Sequence, residues 1–169
     1  MTDQTSSPAT PGELTAGRSA RPLDAADRTI LRELVRDGRL SIRSLAERVH
    51  ISRANAYARV ERLLADHVIT GFTARVSPER AGLGTSAYVS LRIEQNSWRD
   101  VSQALKRMPF VQHVALLGAD FDVLVLVRAP DNAALREVVL ERIQGVPGVQ
   151  GTRTWLVFEE FEGAGAAWT

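Results

Sequence analysis

Residues 41–66, SIRSLAERVHISRANAYARVERLLAD, decide how this chain is read. The pattern predicts a short helix, a tight turn at Val49-His50-Ile51 and a longer second helix. Ser41 and Ser52 each stand just before an amphipathic run, where a hydroxyl can accept a bond from a free helix-end N–H. On a helical wheel Ala56, Val60, Leu63 and Leu64 share one face. Asn55, Arg59 and Arg62 fall together on the opposite face. A helix buried on one side that offers an amide and two guanidiniums on the other suits a DNA major groove. Arg pairs with guanine edges or phosphates, and Asn with adenine edges. The plainer reading is a solvated face. The short helix and tight turn in front of it favour a helix-turn-helix. With the residues at the helix starts, the candidate DNA-contacting set is Ser41, Ser52, Arg53, Asn55, Arg59 and Arg62.

Upstream, Asp24 reads as an N-cap, with Asp27 at the third helical position, where negative charge favours the helix dipole. Ile30, Leu31, Leu34 and Val35 form the expected buried stripe, and Gly38 ends that helix. Three helices then make a small trihelical unit over residues 21–77, closed by an exit strand over 68–77, VITGFTARVS. Residues 1–20 are poor in large apolar side chains and are expected to be disordered. Residues 78–84, PERAGLG, read as a linker.

Residues 85–162 have another rhythm. Ala87, Val89, Leu91 and Ile93 alternate with polar residues, as in a half-buried strand. Ser97 to Met108 reads as a helix stopped by Pro109, and Val111–Leu117 and Phe121–Arg128 as two strands. Asp131 caps a helix whose buried side is Leu135, Val138, Val139 and Ile143, and Thr152–Phe158 is the last strand. The order βαββαβ is the ferredoxin-like arrangement, so the fold class is α+β. Residues 163–169 form a tail. The strands at 121–128 and 152–158 are apolar on both faces, yet both helices cover the same side of such a sheet. A homodimer packed sheet on sheet would cover the other side. The alternative cover is the N-terminal unit.

Composition narrows the function classes. Net charge is only +1, but residues 39–62 hold six Arg against Glu47 and Glu61. There is no cysteine, so no disulfide framework and no thiolate metal site, and His113 has no companions at ligand spacing. No nucleophile elbow, phosphate loop or dinucleotide fingerprint occurs, which speaks against an enzyme. No apolar run approaches membrane-spanning length and the N-terminus has no signal-peptide pattern, so a cytoplasmic protein is expected.

Laid out in order, LDAADRTIL, DGRLSIRSLA, the S-x(6)-R-V-x(2)-L spacing of Ser52, Arg59, Val60 and Leu63, VITGF, DFDVLV, PGV and TRT resemble the Lrp/AsnC family of prokaryotic transcription regulators. The resemblance runs from about Leu23 to Glu160. It implies an N-terminal DNA-reading domain and a C-terminal RAM domain that binds a small effector, mostly amino acids. It also implies dimers that assemble further, often into octamers, with double-stranded DNA as partner and no other cofactor. The family's effector loop, Thr/Ser-Gly-x-Tyr/Phe-Asp, corresponds to Gly118-Ala119-Asp120-Phe121-Asp122, with Ala119 in the glycine's place unless a residue is inserted. Gly118, Ala119, Asp120, Asp122 and Thr154 are the implied effector residues, although Asp122 equally suits turn stabilisation. His50 and His67 stand where the family usually has glycine, which predicts positive φ at both. A pH-sensing role for them is the sharper alternative. A largely sequence-indifferent DNA organiser of the same fold is the alternative function.

Overall fold

The computed structural model describes residues 22–118, 120–161 and 163. The expected disorder of residues 1–20 and most of the 163–169 tail lie outside them. Two compact units divide between Ala74 and Arg75.

The first unit is trihelical: α1 (Ala25–Arg36), α2 (Ile42–Val49) and α3 (Arg53–Ala65). All three starts are capped by side chains. Asp24 accepts from the Asp27 N–H at 2.8 Å while Asp27 accepts from the Asp24 N–H at 3.2 Å, a reciprocal capping box. The hydroxyls of Ser41 and Ser52 accept from Ser44 and Asn55 at 3.1 and 3.2 Å. Ile30, Leu31, Leu45, Val60 and Leu63 form the core between the helices. Val35, expected on the buried stripe, is 68% exposed: at helical spacing it falls off the edge of the face that Asp27, Ile30, Leu31 and Leu34 share. The turn between α2 and α3 is made by His50 in the left-handed region at φ 57°, and the chain leaves α3 through His67 at φ 54°. The conformational reading of both histidines is therefore the observed one.

The exit strand expected over 68–77 does not form. Val68 and Ile69 donate back to the Leu63 carbonyl at 2.9 and 3.0 Å, and residues 70–77 pair with no strand among the described residues. Alternation and β-branching make a strand only where an edge is available to pair with.

In the second unit, residues 78–84 are not slack. The Ala81 N–H donates to Ser77 and the Leu83 N–H to Pro78, closing a compact turn. Then follow β1 (Thr85–Ile93), α4 (Trp98–Lys106), β2 (Val111–Leu116), β3 (Val123–Ala129), α5 (Asn132–Arg136), which continues as a π-helical stretch to Ile143, and β4 (Val149–Val157). The sheet order is β2-β3-β1-β4, antiparallel throughout, as βαββαβ requires. Val89 lies opposite Val125 and Thr154, so these three share one face. That face carries the core: Ala87, Val89, Leu91, Val123, Val125 and Val127 meet Val101 and Leu105 of α4 and Leu135, Val138, Val139 and Ile143 behind β3. The connection into β4 needs Gly148. At φ +90°, a Cβ there would sit 2.5 Å from the Ser97 side chain.

Among the described residues of this unit, no helix packs on the opposite face. Tyr88, Ser90, Leu124, Leu126, Arg153, Trp155 and Val157 belong to it by register. Trp155 is 42% exposed.

Candidate nucleic-acid and effector sites

The expectation of an open row of Asn55, Arg59 and Arg62 is corrected by the geometry. Asn55 is exposed, but Arg59 and Arg62 are turned onto the start of α1. Arg59 Nη1 lies 2.7 Å from Asp24 Oδ2 and from Asp27 Oδ1, and Arg62 Nη2 lies 2.6 Å from Asp27 Oδ2. Asp27 is 1% exposed. Burial alone would raise its pKa, but the hydrogen bonds from Arg62, Arg59 and the Asp24 N–H outweigh it and bring the carboxyl down to about 2. Asp24 is lowered by the Asp27 N–H and by Arg59, and Arg59 is raised by Asp24 and Asp27. Arg59 and Arg62 flank the Ala56-Val60-Leu63 stripe instead of opposing it, so their guanidiniums reach a buried carboxylate before solvent. The missed partner had a sequence signal. Asp27 precedes Ile30, Leu31 and Leu34 at helical spacing, so an acid sits on an apolar stripe and needs a buried cation.

What α3 turns to solvent is then Arg53, Ala54, Asn55, Tyr57, Ala58, Glu61 and Ala65. Ser41 and Ser52 stand exposed at the starts of α2 and α3, their oxygens engaged as caps. Of the six Arg in residues 39–62, Arg43 and Arg48 pair with Glu47 and Glu33. Among the described residues Arg39 and Arg53 have no carboxylate partner.

In the second unit, a groove of about 1030 Å³ runs along the uncovered sheet face, lined by Ser90, Arg92, Asp120, Phe121, Arg153 and Trp155 among others. Phe121 and Trp155 rings stand 6.2 Å apart, tilted at 50°. Among the described residues neither Arg92 nor Arg153 has a carboxylate partner, and Ser90 beside them is 4% exposed. Of the four described effector candidates, Gly118, Asp120, Asp122 and Thr154, only Asp120 lines this groove. Ala119 lies outside the described residues. Gly118 has open space where a Cβ would go, so nothing there demands glycine. The Asp122 carboxylate accepts the Ile93 N–H at 2.8 Å, and its own N–H donates to Leu91 at 3.0 Å, tying the β2–β3 turn to β1. Thr154 is on the helix-bearing face. Sequence reasoning missed Arg92, Arg153 and Trp155, although strict alternation around Thr154 would have placed its neighbours on the other side.

Two family matches divide the chain as the structure does. The winged helix-turn-helix DNA-binding family matches residues 23–70, and the Lrp/AsnC ligand-binding domain matches residues 86–165. The leucine-responsive regulatory protein of Escherichia coli K12 is 34% identical over 146 residues, 85% of this chain and 89% of that one.

The chain belongs to the Lrp/AsnC family. Solved relatives agree in fold. A transcriptional regulator from Neisseria meningitidis in complex with L-Met superposes with a TM-score of 0.78 at 27% identity, covering 84% of this chain and 94% of that one. The leucine response regulatory protein LrpA of Mycobacterium tuberculosis gives 0.76 at 30% identity, covering 87% and 100%. This Lrp/AsnC protein is thus a DNA-binding transcription regulator, with a helix-turn-helix at its N-terminal end and a ligand-binding domain at its C-terminal end. Among the described residues no helix is long and apolar enough to cross a membrane.

Proposed function

We propose that the regulator grips double-stranded DNA with the exposed start of α3, and that a small carboxylate-bearing effector, an amino acid, occupies the groove on the open sheet face. The groove carries this reading. Two guanidiniums without acidic partners suit a carboxylate, Asp120 suits an ammonium, and the tilted Phe121–Trp155 pair offers apolar contact. The L-Met complex of the Neisseria meningitidis relative supports an amino acid as the class.

The same face is where a second copy would pack, sheet on sheet, to form a homodimer. An effector seated there touches the assembly surface itself. It therefore shifts assembly or DNA affinity if it prefers one assembled state. A two-fold dimer presents two α3 helices, so its operator is a palindrome or near-palindrome. Further assembly to octamers belongs to the same proposal, as does a cytoplasmic location.

The sequence-indifferent DNA organiser is the weaker reading. Such binding depends on free phosphate-seeking charge, and four of the six Arg in residues 39–62 are neutralised within the chain. A thermal-shift screen with the twenty amino acids tests the effector reading, since a ligand bound only by the folded state raises Tm. A hit whose shift survives Arg153→Ala and Arg92→Ala removes the groove as its site.

A further inference from the structure

Asn55 is the third residue of α3 and stands exposed at the end of the helix that enters the groove in helix-turn-helix proteins. Its side chain is not free to choose how it faces outward. Arg59 Nε lies 2.9 Å from Asn55 Oδ1. A guanidinium only donates, so the amide must turn its oxygen to Arg59 and its NH₂ away. Arg59 cannot readily yield. Its Nη1 is held by both Asp24 oxygens at 2.8 and 2.7 Å and by Asp27 Oδ1 at 2.7 Å. Behind them Arg62 closes on the other Asp27 oxygen at 2.6 Å. The clasp thus runs unbroken from a buried carboxylate to the surface amide.

An asparagine reads adenine with both ends of its amide, the oxygen accepting from N6 and the nitrogen donating to N7. Arg59 competes for that oxygen with a charge-assisted bond, which leaves the NH₂ as the group the amide offers most freely. We infer that Asn55 meets the duplex with its amide N–H groups, taking an acceptor there, a guanine edge or a phosphate oxygen, and that Arg59 is the positioning residue that disfavours the two-point contact with adenine. The inference rests on the reading of α3 as the DNA-contacting helix.

The test uses the full-length protein and a pool of duplexes randomised across the site. Bound sequences are read for wild type, Asn55→Ala and Arg59→Lys, with affinity, salt dependence and Tm measured for each. Asn55→Ala is expected to weaken binding on the order of tenfold. If its partner is a base, the preference lost is for guanine at one position of each half-site. If its partner is phosphate, all sequences weaken alike and the salt slope is unchanged, because a neutral amide releases no counterion. Lysine at position 59 keeps a cation beside Asp24 and Asp27 but has no N–H at the ε position. In the base case Arg59→Lys therefore admits adenine where wild type took guanine, a change that mere loss of stability does not produce.

Three results overturn the inference while leaving α3 as the DNA-contacting helix: an adenine preference in wild type that disappears in Asn55→Ala, no effect of Asn55→Ala on affinity or preference, or a guanine preference carried by Asn55 that Arg59→Lys leaves unchanged. Failure of the wild-type protein to bind any duplex overturns the reading of α3 and the inference with it.

Discussion

Asp27 and Arg62 meet at 2.6 Å across the helix-turn-helix unit, the carboxylate 1% exposed and the guanidinium side chain 26% exposed. The contact joins the first turn of α1 to the last turn of α3, so it helps to set the angle between the two helices. It also takes from the surface a charge that a helical wheel would assign to DNA.

Replacing one member of this clasp should therefore cost stability before it costs affinity. Asp27→Asn leaves two guanidiniums competing for a neutral amide. We expect a loss of about 2–4 kcal/mol, below the upper range for broken buried pairs because both arginines retain some access to water. Urea denaturation of the full chain measures it. An unchanged midpoint would sink the assignment of Asp27 as a structural anchor.

Acid should weaken the same unit in a defined window. The Asp27 pKa is depressed from 3.8 to about 2, so its stabilising contribution is fully present above about pH 4 and is lost as pH falls toward 2. The difference amounts to roughly 2 kcal/mol. Comparing wild type with Asp27→Asn across pH 2–6 should show the gap between them narrowing at the acid end. A constant gap contradicts the depressed pKa.

Arg53 and Arg62 should separate in their effects. Arg53 is exposed at the start of α3 and has no acidic partner among the described residues, so Arg53→Ala is expected to lower DNA affinity severalfold at unchanged Tm. Arg62→Ala is expected to lower Tm first. Duplex titration beside calorimetry distinguishes them, and a Tm loss for Arg53 with intact affinity would reverse the assignment.

The two left-handed histidines give a prediction of opposite sign. At φ 57° and 54°, His50→Gly and His67→Gly relieve a backbone cost and should leave stability level or raise it by up to about 1 kcal/mol. DNA affinity should be flat between pH 5.5 and 8, because these side chains serve the turn. A step near neutrality in a binding titration would show the imidazoles acting as sensors.

On the open sheet face, Trp155→Glu places a charge in the proposed sheet-on-sheet contact. Sedimentation should show monomer where wild type shows dimer or larger. A monomeric wild type, or an unaltered assembly in the variant, moves the dimer contact elsewhere.

Much of this was legible in the chain itself. Hydrophobic periodicity, caps and turn residues are local, so the three helices and the βαββαβ order could be read from short windows, while the left-handed turns at His50 and His67 followed from the family resemblance. The uncovered sheet face followed from topology, because both helices of that order must lie on one side. What residues 70–77 do could not be read locally, since a strand exists only through an edge supplied from elsewhere. Nor could the fate of Arg59 and Arg62. Their partners, Asp24 and Asp27, lie more than thirty residues away in sequence, and only the packing of α1 on α3 brings the carboxylates within reach. The same holds for the proposed effector groove. Register across β1 and β4 put Arg153 and Trp155 on its wall and sent Thr154 to the other face, and Asp122 was drawn off by the Ile93 N–H. Local pattern specified the elements, whereas contacts distant in sequence decided which of their side chains remain free to meet a ligand.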